Sequence, residues 1–145
     1  MTKSLMGLSG LLGSLSAGLL SLYPRASISF FQHQTMSAFN RDAQGVYLIT
    51  VTPFTDSGAL DLASTDRMVD FCLESGVTGL TILGIMGEAP KLTMEESRTF
   101  VKQVLQRVKG AVPVVVGASS PGFAPMKELT QSVMDLGADG VMVAG

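Results

Sequence analysis

Cysteine, histidine and charge are all scarce in this 145-residue chain, and each scarcity removes a class of function. A single cysteine, Cys72, excludes an internal disulfide. Its place in a helical apolar pattern makes it a buried small hydrophobe. The one histidine, His33, has no cysteine or second histidine nearby, so no zinc-type cluster and no other metal site is expected. Charged residues make up only 15% of the chain, with a formal net charge of -2. Without a basic run or an aromatic-basic patch, a nucleic-acid partner is not expected. What is plentiful is apolar: 46% hydrophobic residues and 16 glycines, the composition of a globular chain with one core.

Acids are missing altogether from residues 1–41, which hold Lys3, Arg25 and Arg41. The remainder carries seven basic and twelve acidic residues, a net of -5. Two segments of different character are joined. Residues 4–24 are uncharged and Leu-rich, flanked by Lys3 and Arg25, with a length that suits a signal-peptide core or a membrane span. Gly7, Gly10, Gly13 and Gly18 alternate there with Ser9, Ser14, Ser16 and Ser21 and dilute the hydrophobicity. A Ser-rich, acid-free stretch also resembles an organellar transit peptide, although arginine is sparse for one. Met36 lies ten residues before the first strand-like run, where a compact domain can begin. Residues 1–35 are therefore read as an N-terminal extension, either a targeting segment or mistranslated upstream sequence, and residues 36–145 as the domain. A membrane anchor is the least supported reading. The expected location is the cytoplasm, with organellar or secretory targeting by residues 1–35 as the alternative.

From Gly45 the hydrophobic period alternates between strand-like and helix-like. Val46 to Thr52 is a β-branched and aliphatic run that Pro53 ends. Asp61 can cap a helix with Met68, Val69, Cys72 and Leu73 on one face and Gly76 as its stop. Gly79 to Leu83 reads as a second strand. Thr93-Met94-Glu95-Glu96 reads as a capping box before a helix with Phe100, Val101, Val104, Leu105 and Val108 on its inner stripe. Val112 to Val116 is a third strand, ended by Gly117. A third helix turns Met126, Leu129, Val133 and Met134 inward and stops at Gly137, and Val141 to Val143 begins a fourth strand. A weak repeat links Glu74-Ser75-Gly76-Val77-Thr78-Gly79-Leu80 to Asp135-Leu136-Gly137-Ala138-Asp139-Gly140-Val141. In each copy one glycine ends a helix and the next opens a strand. Such alternation implies a parallel sheet covered by helices, and by itself supports a doubly wound sheet and a barrel equally.

Motifs at the strand ends go further. Thr50-Val51-Thr52-Pro53-Phe54 closes the first strand and Gly84-Ile85-Met86-Gly87-Glu88 the second. Leu92-Thr93-Met94-Glu95-Glu96-Ser97-Arg98 opens the second helix, Pro113-Val114-Val115-Val116-Gly117 forms the third strand, and Gly137-Ala138-Asp139-Gly140 leads into the fourth. In this order and spacing, residues 45–145 resemble the dihydrodipicolinate synthase and N-acetylneuraminate lyase family. The resemblance implies an α/β fold, a (β/α)8 TIM barrel, of which three β-α units and a fourth strand are present. It also implies class I aldolase chemistry, in which a lysine forms a Schiff base with pyruvate or a related 2-oxo acid, without metal or organic cofactor. The family's lysine and its catalytic tyrosine are expected beyond residue 145. The 145-residue chain is therefore expected to be incomplete and inactive alone, and its full-length form to be a homo-oligomer. Two alternatives stand beside this: a non-catalytic fragment, and a different TIM-barrel aldolase or dehydratase acting on a sugar acid.

The substrate-binding candidates are Thr52, Ile85, Met86 and Gly87. In the family, the loop matching Gly84 to Glu88 holds the pyruvyl carboxylate with backbone amides and usually two hydroxyl side chains. Ile85 and Met86 stand at those two positions, so the hydroxyls are missing, while the N–H groups of Met86 and Gly87 can still face a carboxylate. This departure counts against strict dihydrodipicolinate synthase activity. Thr52 ends the first strand, where it can position substrate or lysine, or satisfy the backbone before Pro53. Glu88 is read as an acceptor that fixes its loop rather than a general base. Ser119 and Ser120 follow the third strand without a His or Asp partner, so no Ser-His-Asp triad is expected. Lys3 lies outside the domain, and Lys102, Lys109 and Lys127 lie off the apolar stripes. Lys91 follows Pro90 on the plausible active face, with nothing nearby to activate an amine. None of the five is the Schiff-base lysine.

Overall fold

Short apolar runs broken by glycine leave room for four strands with a helix between each pair, and that is the order found. The computed structural model describes residues 39–144. In it β1 is Tyr47–Ile49, α1 Leu62–Glu74, β2 Gly79–Ile82, α2 Met94–Val108, β3 Val114–Gly117, α3 Phe123–Asp135 and β4 Gly140–Met142. A turn of 3-10 helix, Ala89–Lys91, lies between β2 and α2. The expectations for residues 1–35, His33 included, lie outside the described residues.

The strands form one parallel sheet in the order β1-β2-β3-β4. This order decides what periodicity left open. A doubly wound sheet reverses its strand order at a switch point, whereas a barrel lays each strand beside the last. The sheet is also rolled. In a flat sheet β2 and β4 would lie about 10 Å apart. Yet a Cβ built on Gly84, just past β2, would be 3.7 Å from Ile49 Cγ2 and 3.9 Å from Met142 Cε. The four strands are an arc of a (β/α)8 barrel, with the helices on its convex side.

Each helix begins where a side chain can satisfy free N–H groups. Asp61 caps α1 by accepting from Ser64 N–H at 2.9 Å, and its bonds to the Ser64 hydroxyl and N–H hold the acid below the usual carboxylate range. Thr93 and Glu96 make the expected capping box at α2. Glu96 N–H donates to Thr93 Oγ1 at 3.2 Å, and Thr93 N–H returns to Glu96 Oε2 at 2.8 Å. Replacing Thr93 by alanine is expected to cost about 1 kcal/mol. An unchanged denaturant midpoint for Thr93→Ala would show that the box contributes nothing.

The core lies between sheet and helices. Leu80, Ile82, Val114 and Val116 meet Val69 and Cys72 of α1, Phe100 and Val104 of α2, and Val133 of α3. Burial pushes the Cys72 thiol up from its ordinary value, which suits an inert core residue. Met134, expected inward, is 43% exposed. It lies about 100° around the helix from fully buried Val133, and the face that α3 buries is no wider than Leu129 and Val133. The strand-opening glycines of the internal repeat share one physical cause. A Cβ on Gly79 would sit 2.3 Å from the Tyr47 ring, and one on Gly140 3.1 Å from the Phe39 ring. Those two rings meet edge to face at 5.4 Å, near the N-terminal ends of the strands. No helix among the described residues is long and apolar enough to cross a membrane.

Candidate active site

Parallel strands bring all their C-terminal ends to one rim, and in a barrel that rim is where loops surround a ligand. The β1 ladder runs one residue past the strand, Thr50 N–H donating to the Thr81 carbonyl at 2.9 Å. The strand is thus shorter than the apolar run Val46 to Thr52, because the chain then leaves the sheet toward Pro53. Thr52 is buried, and its Oγ1 donates to the Gly87 carbonyl at 2.6 Å. The hydroxyl therefore bonds across the rim and not to the backbone before Pro53. It pins the loop after β2.

That loop is built from two overlapping turns. Gly87 N–H donates to the Gly84 carbonyl at 3.0 Å, and Glu88 N–H to the Ile85 carbonyl at 3.1 Å. Leu83 and Glu88, on either side, both take left-handed backbone conformations with φ of 53°. Gly87 N–H, one of the two amides expected to face a carboxylate, closes the turn as its fourth residue. Among the described residues, the N–H groups of Leu83, Gly84, Ile85 and Met86 have no acceptor, and of these four residues Ile85 and Met86 are the exposed ones. The open pair of amides is shifted one residue toward β2. The side chains of Ile85 and Met86 are 89% and 57% exposed.

Neighbouring groups at the rim are engaged with one another. The Glu88 carboxylate pairs with the Lys91 ammonium, not with the loop amides. Lys91 is held at the surface by this pair, far from the desolvated setting of a Schiff-base lysine. Ser119 Oγ accepts from Ala144 N–H at 2.8 Å, tying the loop after β3 to the chain after β4. Ser120 is half-buried beside it.

Two features of the rim escaped the sequence reading. A Cβ on Gly117 would lie 2.1 Å from the Leu83 carbonyl oxygen, so β3 ends in glycine because the β2 loop crosses it at backbone distance. A glycine closing a run of valines was the available signal. Thr50 Oγ1 is buried without a partner among the described residues, and nothing in the sequence marks it. Chemically, two successive free amides at a pinned turn suit an anionic oxygen pair such as a carboxylate.

The sequential parallel arc, with its strand ends gathered at one rim, is the arrangement of a (β/α)8-barrel protein. A model of the Dihydrodipicolinate synthetase family matches residues 42–144, and the chain belongs to that family. The 4-hydroxy-tetrahydrodipicolinate synthase of Kosmotoga olearia is 41% identical over 100 residues, covering 69% of this chain and 34% of that protein. The solved dihydrodipicolinate synthase from Rhodopseudomonas palustris matches with a TM-score of 0.68 and 47% identity, over 71% of this chain and 34% of that one. The chloride-inhibited enzyme from Acinetobacter baumannii, solved with pyruvate, gives 0.67 and 30% identity over 69% and 34%. The chain spans about a third of the length of these relatives.

Proposed function

We propose that this segment, in a chain long enough to close the barrel, supplies the carboxylate-binding part of a class I aldolase-type lyase acting on pyruvate or a related 2-oxo acid. The observation that carries this reading is the pair of unpartnered amides at Ile85 and Met86, on the rim where barrel enzymes hold their substrates. Thr52 acts on the same site through Gly87, by fixing the turn from which those amides project. The pyruvate complex of the Acinetobacter baumannii relative supports the substrate class.

The chemistry runs without metal or organic cofactor. A lysine amine from a later strand adds to the oxo carbon and water leaves, giving an iminium. The adjacent carbon loses a proton, the resulting enamine attacks an aldehyde, and hydrolysis then frees the product and the lysine. None of the lysines among the described residues is placed for this. The protein so formed is read as a cytoplasmic homo-oligomer.

Incubating the chain, at the length of its relatives, with pyruvate and borohydride is expected to leave one reduced pyruvyl adduct on one lysine. Mass spectrometry reads it directly. A folded barrel that yields no adduct would remove the Schiff-base assignment.

A further inference from the structure

We propose that residues 39–46 strap the N-terminal mouth of the barrel shut, with the Phe39 ring as the plug. The barrel domain therefore begins upstream of Phe39, and any shortening of the N-terminal extension keeps a sound barrel only if it stops before that ring. The strap depends on the barrel fold and not on the chemistry at the opposite rim.

Successive residues of a strand face opposite sides of the sheet. Leu80, Ile82, Val114 and Val116 pack against the helices, so Gly79 and Val115 face the concave interior. Register carries this inner face to both edges of the sheet, because Tyr47 is paired with Gly79 and Gly140 with Val115. Tyr47, Gly79 and Gly140 each open a strand, which puts all three at the N-terminal end of the inner wall. The two glycines leave bare sockets there, and two rings occupy them. A Cβ on Gly79 would meet the Tyr47 ring at 2.3 Å, and one on Gly140 the Phe39 ring at 3.1 Å. With the rings in edge-to-face contact, the pair crosses the arc from β1 to β4.

Phe39 lies outside every strand, and the chain between it and β1 is built to bring it back under the sheet. Ala43 N–H donates to the Asn40 carbonyl at 3.1 Å and Asp42 N–H to Asn40 Oδ1 at 2.8 Å, closing a turn directly after the ring. At the other end Gly45 has a φ of 113°, and a Cβ there would lie 2.0 Å from Thr78 Oγ1. Val46 N–H donates to that hydroxyl at 3.0 Å, and Thr78 N–H returns to the Val46 carbonyl at 2.9 Å. The strap is thus fastened one residue from the socket that Tyr47 fills. It adds an apolar ring, from outside the strands, to the side-chain layers that fill a barrel. Met36 lies upstream of Phe39, so a chain begun there retains the plug.

The test uses the chain at the length of its relatives, begun at Met1, at Met36, or with an initiating methionine before Asn40. The Met36 form is expected to melt with the whole chain, and the Asn40 form about 4 °C lower. Phe39→Ala in the Met36 form is expected to match that loss, and Phe39→Leu to recover about half of it. Amide exchange localises the effect. Without the ring it is expected to quicken about tenfold at the starts of β1 and β4 and to stay unchanged from Gly84 to Glu88. Gly140→Ala is expected to lower the midpoint in the Met36 form, and to lower it less once Phe39 is alanine, because its Cβ then enters vacated space. An Asn40 form and a Phe39→Ala variant that melt like the whole chain overturn the proposal. So does a Gly140→Ala loss that is the same in both backgrounds, and so does a Met36 form that falls as far as the Asn40 form.

Discussion

A Gly117→Ala variant is expected to lose about 3 kcal/mol of folding stability, the upper part of the usual range for over-packing. The added Cβ would lie 2.1 Å from the Leu83 carbonyl oxygen and 2.7 Å from its carbon. Both are backbone atoms, so no side-chain rotation relieves the overlap. Either β3 or the β2 loop must move. Leu83 already holds a left-handed conformation that L-residues with branched or bulky side chains avoid, so the loop has little freedom to retreat. The loss is read as a shift in denaturant midpoint at constant slope. A midpoint equal to that of the wild type would mean that the Leu83 carbonyl does not cross β3 at this distance.

Replacing Thr52 by valine is the second large effect, and it separates positioning from packing. Valine keeps the shape but removes the donor to Gly87, a buried carbonyl 35 residues away in sequence. Leaving that acceptor unmet costs about 1–3 kcal/mol. The turn carrying the Ile85 and Met86 amides then loosens. In the closed barrel KM for the 2-oxo acid is expected to rise about tenfold, equivalent to ~1.4 kcal/mol of binding, with a smaller change in kcat. Thr52→Ser keeps the hydroxyl and is expected to recover most of the loss. A Thr52→Val enzyme with unaltered KM would leave the residue a purely structural role.

Alternation of strand and helix was legible because each element carries its own apolar period, and the capping box at Thr93 because it is a local pattern. The repeat glycines were legible as punctuation, though not the Tyr47 and Phe39 rings that forbid a Cβ at Gly79 and Gly140. Strand order was beyond periodicity, since barrels and doubly wound sheets bury the same short strands. Met134 was misplaced because a stripe of apolar residues does not tell how wide a face its neighbours will cover. At the site, Gly87 was assigned a free amide because the turn that consumes it is set by the conformation of the residues around it, Leu83 among them. The bond from Thr52 to Gly87 joins distant segments and has no local signature. What the resemblance supplied was the importance of the loop itself and the oddity of Ile85-Met86 within it.

The most direct measurement is a crystal structure of the chain at its relatives' length after borohydride trapping with pyruvate. The carboxylate of the reduced adduct is expected about 2.7–3.2 Å from the N–H groups of Ile85 and Met86, with Thr52 still bonded to the Gly87 carbonyl. A carboxylate held away from both amides, or no adduct in a closed barrel, would contradict it.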